Sequence, residues 1–221
     1  DPAGRVWVAW EKAGENWGKH PRGAASLHSE RSIDIACWSG GRLHRPEADL
    51  AKSLPDGFRK HSEYPQVAID GAGRLWVIFR YQNRVAPQIL GGRGRAQSYG
   101  MWHEFATQLT QDGWGAPVLL AHSNGRQDIR AEVANGRDGE LLACYATDGR
   151  TREFPYKPVD YDLTLVSLAG FGRAASEPRL VEAPDLGKIS PAAPDPELGP
   201  LTRDWTFRGQ EYRLLLGDTH R

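Results

Sequence analysis

Cysteine and methionine are nearly absent, with two of the first and one of the second in 221 residues. Cys37 and Cys144 sit in separate apolar runs, a pattern that supports neither a disulfide framework nor a paired-cysteine metal site. Two buried free thiols are the expectation. A charge surplus is also missing. Lys+Arg and Asp+Glu each total 28, which argues against a dedicated nucleic-acid or anionic-membrane binder, whose usual footprint is a basic excess. No apolar stretch approaches the ~20 residues that a membrane-spanning helix needs. The patterns G-x-S-x-G, H-E-x-x-H and C-x-x-C do not occur, so the common serine-nucleophile and zinc signatures are excluded.

What the chain does have is aromatics and turn formers. Eight Trp, seven Tyr and six Phe suit pleated, half-buried surfaces, and 25 Gly with 15 Pro point to many turns. One phrase returns three times: DPAGRVWVAW at Asp1–Trp10, DGAGRLWVIF at Asp70–Phe79 and GRDGELLACY at Gly136–Tyr145. Its glycines, Gly4, Gly73 and Gly139, are spaced by 69 and 66 residues. Each copy is a polar Gly/Asp turn followed by an apolar run that ends in Trp10, Phe79 or Tyr145. Repetition at this scale decides the fold reading.

Alternating strands flank the phrase. Tyr64–Ile69 and Asp128–Ala134 precede it. Ser32–Trp38, Trp102–Leu109 and Asp162–Leu168 follow it after a long polar loop. Proline-bearing segments come next, at Arg45–Leu50, Ala116–Ala121 and Glu177–Glu182. Proline lacks the N–H of an inner strand, so these are expected on the outer edge. Each unit then has four antiparallel strands, which predicts an all-β β-propeller arc of about three four-stranded blades over residues 1–183. A sandwich is the rival all-β fold, but it has no reason to repeat one phrase at this spacing. The chain opens inside a repeat unit, without an initiator Met or a signal peptide. It is therefore expected to be a piece of a larger propeller whose missing blades precede residue 1.

The wording D-x-x-G-R-[VL]-W-V resembles the strand-turn-strand phrase of NHL-type, two-component-regulator and sialidase-like propellers. The sialidase box S-x-D-x-G-x-T-W is absent, and Gln111–Pro117 only echoes it. Five prolines between Pro184 and Pro200 predict a linker over 184–204. A hairpin is expected over 205–221, with its turn at Gly209-Gln210.

That hairpin runs into Gly217-Asp218-Thr219-His220-Arg221, which resembles the start of the PHP (polymerase and histidinol phosphatase) superfamily, where a barrel strand opens into D-x-H-x-H. The resemblance implies a following distorted β/α barrel that binds divalent metal ions (Zn, Mn or Fe) and hydrolyses phosphoester-type bonds with a metal-activated water. His220 falls at a metal-ligand position. One imidazole makes no catalytic metal site, so the present residues are expected to be inactive by themselves and to hold no metal. The propeller resemblance also implies an extracytoplasmic, periplasmic setting in a bacterium.

Within the propeller, the loops after each second and fourth strand should open on one face. They carry His20, Arg22, His28 and Arg31, then Arg80, Arg84, Arg93 and Arg95, with His61, His122 and Arg126 on the same side. Ordinary solvated loops account for such residues, since Arg and Lys are mostly exposed; the functional reading is a binding face for an anionic or sugar-like ligand or for a partner domain. Gly91–Arg95 lacks the context of a phosphate loop and reads as a flexible loop. Asp34 and Glu104 each begin a strand and read as solvated edge charges. The leading function is a binding or scaffolding module. A propeller enzyme acting on glycans, which would need converging carboxylates, and a pure protein-interaction propeller are the competitors. Partners are expected to be the missing blades, a C-terminal domain, and a glycan or anionic ligand, with no nucleic acid and no membrane span.

Overall fold

The computed structural model describes residues 1–13, 31–84, 100–125, 129–151, 160–169, 177–186 and 202–215. The chain divides into two compact units, Asp1–Asp185 and Leu186–Arg221. The first unit is built from three antiparallel β-sheets, none closed on itself. The first sheet runs β1 (Val6–Lys12), β2 (Ser32–Ser39), β3 (Arg42–Pro46) and β12 (Leu180–Glu182). The second runs β4 (Ser62–Ile69), β5 (Leu75–Arg84), β6 (Gly100–Thr110) and β7 (Gly113–Trp114), and β8 (Val118–Leu119) also pairs with β6. The third joins β9 (Glu132–Asn135), β10 (Leu141–Thr147) and β11 (Asp162–Ser167). The all-β expectation holds. Among the described residues the sheets carry four, five and three strands, against an expectation of four each.

The repeated phrase is a carboxylate-tied turn. Asp70 Oδ1 accepts from the backbone N–H of Ala72 and Arg74, while Oδ2 accepts from Arg74 Nε at 2.5 Å and Trp76 Nε1 at 2.9 Å. Asp1 repeats the set on Ala3, Arg5 and Trp7. Gly4, Gly73 and Gly139 take φ of 75°, 76° and 79°, a region a β-carbon disfavours, and each donates its N–H to the carbonyl three residues back. The third copy has glycine where the aspartate stood and glutamate where the arginine stood. Glu140 Oε2 there accepts from Asp138 N–H, and a β-carbon on Gly136 would collide with the Glu140 carboxylate. The turn keeps its carboxylate by moving it four residues along.

Burial pushes the Asp70 carboxyl up, but the bonds from Arg74 and Trp76 and the Arg74 charge outweigh it and hold the carboxyl below its usual range. Its stabilising contribution is present at neutral pH and is lost as pH falls through the depressed value. Asp70→Ala strands the Trp76 Nε1–H in a side chain 1% exposed. It is expected to cost about 3 kcal/mol, read as a lower urea midpoint.

β5 shows why the three sheets stack. Leu75, Val77 and Phe79 face a core shared with Trp7 and Ala9 of β1, Ile33 and Ile35 of β2, and Leu50 and Leu54. Trp76 and Ile78, on the other face, join Leu141, Ala143 and Tyr145 of β10. The second sheet is thus covered on both sides. Its turn also meets the third sheet's turn backbone to backbone, with Gly71 N–H donating to Gly139 O at 2.7 Å. A β-carbon on Gly71 would lie 2.5 Å from the Gly139 Cα. Gly71→Ala is expected to lower the melting temperature by several degrees, since a clash of about 2 kcal/mol shifts a domain of this size by ~4–8 °C.

Two of the three proline-bearing segments depart from expectation. Arg45-Pro46 ends β3, and Asp49 then caps a short helix, α1 (Leu50–Ser53), by accepting from Lys52 N–H at 3.0 Å. The segment is therefore no outer strand, because an N-cap aspartate before Leu-Ala-Lys favours a helical turn. Around Pro117 the expected outer strand does form, shortened to β8, which pairs antiparallel with β6. Glu177–Glu182 does yield a strand, but β12 pairs with β3 of the first sheet and not with the third. Glu47 N–H donates to Arg179 O, Ala183 N–H donates to Leu43 O, and Arg5–Glu177, Arg42–Glu182 and Arg45–Asp185 form ion pairs across this junction. Cys37 is buried and Cys144 half-buried, both free.

In the second unit, β13 (Thr202–Phe207) pairs antiparallel with β14 (Gln210–Leu215). The turn is Arg208-Gly209, one residue earlier than expected, with φ of 52° and 76°. Both positive values match the two-residue hairpin turns whose twist suits antiparallel strands.

A buried arginine–carboxylate cluster as candidate functional site

Arg80 ends the apolar run of β5, and strand register sets its neighbours. It lies opposite Glu63 on β4 and Glu104 on β6, so the three side chains form one row on one sheet face. All three are 1–2% exposed. Arg80 Nε and Nη2 donate to Glu63 Oε2 at 3.0 and 2.5 Å, and Nη1 donates to Ile129 O at 3.3 Å. The register shifts between Glu63 and Gln66, and Tyr64 in that bulge has φ of 50°. Its ring meets the Arg80 guanidinium at 4.1 Å from the centroid and the Arg130 guanidinium at the same distance. Arg130 is exposed and also donates to the Tyr64 hydroxyl at 3.1 Å. Arg80 lies 5.6 Å from the Trp102 ring. A column of cation–π contacts therefore runs from an exposed arginine to a buried one.

Glu104 is the unusual member. Oε1 is buried and makes no hydrogen bond among the described residues. Burial pushes its carboxyl up to about 8, against the opposing pull of the Arg80 charge and the Ala131 N–H. At neutral pH it is mostly a protonated, neutral acid. Beside it, Ser123 Oγ accepts from the Glu104 N–H at 3.1 Å. Tyr145, whose hydroxyl donates to Ala121 O, is held well above the ordinary phenol range by burial first and by the charges of Glu104 and Cys144 second. The cluster thus combines an ion pair with two N–H groups on one carboxylate oxygen, a protonated acid and an exposed cation.

This end of the sheets is also where the predicted binding loops depart. Arg31 and His61 come together there, joined by a parallel bridge, with Arg31 N–H donating to Lys60 O at 2.8 Å. Arg31 Nη1 pairs with Glu11 at 3.1 Å. His61 packs edge-on to Tyr81 at 6.3 Å. His122 is exposed on the turn after β8, with φ of 54°. His20, Arg22, His28, Arg93, Arg95, Arg126 and His220 lie outside the described residues, as do the loop Gly91–Arg95 and the Arg84 side chain.

Two expectations fail here. Glu104 is 1% exposed and Asp34 is 6% exposed, where Lys12 Nζ reaches it at 2.5 Å; neither is a solvated edge charge. Arg80 lies in no loop, because β5 continues to Arg84. The signal that locates both buried charges is period two: Trp76, Ile78 and Arg80 share one face of β5, and Trp102, Glu104 and Ala106 share the matching face of β6.

Two cavities, of about 380 and 320 Å³, lie at the opposite, Gly-turn end. Arg5, Trp7 and Leu75 line the first, Glu47, Asp112 and Arg179 the second, and Glu177 borders both. Among the described residues no group of three or more His, Cys, Asp or Glu could hold a metal ion, and no helix is long and apolar enough to cross a membrane. No family model, curated protein or solved structure matches the chain.

Proposed function

We propose that the chain is a binding and scaffolding region of β-propeller type within a larger protein, and that these residues are not themselves catalytic. One observation carries the scaffolding half: the carboxylates of the repeated turns and the buried Arg80 are held by partners within the protein. Asp1 and Asp70 are each tied by four bonds within their own turns, and Arg80 donates two N–H bonds to Glu63 Oε2. The repeated turn and the face-to-face sheets support the propeller half. Arg130 supplies the binding half as an exposed guanidinium on a Tyr64 platform, suited to an anionic glycan or a carboxylate. An array of acidic and neutral glycans tests this: acidic glycans should bind, and Arg130→Ala should weaken binding at least tenfold with unchanged circular dichroism. An array without acidic hits sinks the reading.

Glu104 favours a second reading, glycan hydrolysis at the same end. A protonated acid across Arg80 from the Glu63 carboxylate is the pairing such chemistry uses. Turnover of an array-positive glycan, lost in Glu104→Gln, would establish it. The proposal of a following PHP-like domain rests on the resemblance at Gly217–His220 alone, with Zn, Mn or Fe as its metal. A metal-dependent phosphodiesterase assay on the full-length parent tests it.

A further inference from the structure

Two buried oxygens at the loop end of the second sheet take no hydrogen bond among the described residues: Gln82 Oε1 and Glu104 Oε1. Strand register makes their side chains neighbours. Arg80 lies opposite Glu104 and Gln82 opposite Trp102, so Gln82 and Glu104 are diagonal partners on the face that holds Arg80. Their backbones are pinned. Gln82 N–H donates to His61 O at 2.9 Å, and Leu120 N–H donates to Glu104 O at 2.9 Å. Trp102, between them in sequence register, exchanges N–H bonds with Gly125 at 2.9 and 3.0 Å. Burial eases in one direction along this face: Trp76, Ile78, Arg80 and Gln82 are 1%, 0%, 2% and 9% exposed. Gln82 therefore lies at the outer limit of the buried face, two residues before β5 ends at Arg84.

Buried polar atoms without a partner are rare in folded proteins, and two on adjacent positions of one face share a need. Charge narrows what can meet it. A bare anion brings no proton to either oxygen. A second cation would stand against Arg80, which already holds the Glu63 carboxylate. Glu104 is mostly neutral at neutral pH, because burial pushes its carboxyl up to about 8, so no carboxylate of the cluster is left to balance that cation. A hydroxyl group fits both atoms. The Ala131 N–H already supports the Glu104 carboxyl, and Oε1 takes no bond, which places the acid proton best on Oε1. One hydroxyl oxygen accepts that proton while its own O–H donates to the Gln82 carbonyl.

We propose that Gln82 Oε1 and Glu104 Oε1 form a buried site for one hydroxyl group, supplied by a water or by an alcohol of a ligand that enters from the loop end. The ligand source rests on the glycan reading above; the site itself does not. Gln82 then selects a glycan by a hydroxyl, while Arg130 selects it by charge. Discrimination of this kind is steep, because a ligand that fills the site without the hydroxyl leaves both buried oxygens unpaired.

A crystal structure of the chain, grown without polyols, tests the site. One oxygen peak should stand within about 3.2 Å of both atoms. Monodeoxy analogues of an array-positive glycan distinguish the source. Removing one particular hydroxyl should weaken binding at least about tenfold, and in Gln82→Leu the same removal should cost about twofold or less. A peak with every deoxy analogue binding equally assigns the hydroxyl to water and keeps the site. No peak together with equal binding of all analogues overturns the proposal. So does a crystal structure in which donors of the protein itself reach both oxygens. An array without hits removes the proposed ligand, and the peak alone then decides the site.

Discussion

Arg80→Ala is expected to destabilise the protein by about 3–5 kcal/mol, the range for removing one partner of a buried ion pair. The loss has three sources. Glu63, 1% exposed, is left in the interior without the two N–H donors that now meet Oε2. Ile129 O loses the N–H donated by Arg80 Nη1. Tyr64 and Trp102 lose the guanidinium packed against both rings. Urea unfolding of the variant would show a lower midpoint at unchanged slope. The double variant Arg80→Met with Glu63→Leu should recover most of the loss, because a hydrophobic replacement removes both desolvation costs together. A single-variant loss below about 1 kcal/mol, the scale of exposed pairs, would show that the cluster is not closed to water.

The second large effect is a pH dependence centred on Glu104. Its folded carboxyl releases its proton near 8, while in the unfolded chain it does so near the ordinary glutamate value of about 4.3. Between those values the folded state holds a proton that the unfolded state has lost, so stability falls as pH rises. The contribution is whole below the ordinary carboxylate range and gone once pH has passed through 8. The slope from this group approaches about 1.4 kcal/mol per pH unit. Asp70 acts with the opposite sign, and only in acid, because its carboxyl is depressed. Denaturant midpoints measured from pH 5 to 9 should therefore decline in the wild type and flatten in Glu104→Gln. The amide of that variant can still accept from Ala131 N–H, and the variant should be more stable than wild type at pH 9. A flat wild-type profile would mean that Glu104 is ionised and solvated.

The two effects also bear on function. A protonated acid beside a paired arginine serves packing if the end stays closed, and chemistry if a ligand opens it. The Glu104→Gln variant separates these outcomes: stabilisation with glycan binding unchanged fits a scaffold, and loss of turnover fits an enzyme.

Much of the architecture was legible from local pattern. A Gly/Asp turn followed by alternating apolar residues specifies a turn and a strand wherever it occurs, since φ near 75° and side-chain alternation are properties of the chain itself. The strands β2, β4, β6, β10 and β11 are close to where the pattern put them. The burial of Arg80 and Glu104 was readable in principle from period two, but a charge at the end of an apolar run resembles a strand terminus. The role of the Asp1 and Asp70 carboxylates could not be read from the phrase, because their partners include the side chain six residues on.

Local sequence determined the turns, the strand positions and the all-β class of this protein. Tertiary structure alone decided which strands met. β12 joined the first sheet because backbone bonds and ion pairs to β3 and its neighbours were available there, and strand propensity does not encode a partner. The same holds for the cluster. One arginine between two glutamates is ordinary in composition, and only pairing across β4, β5 and β6 sets the three in a single row, where exclusion of water turns one carboxylate into a clamp and the other into a neutral acid.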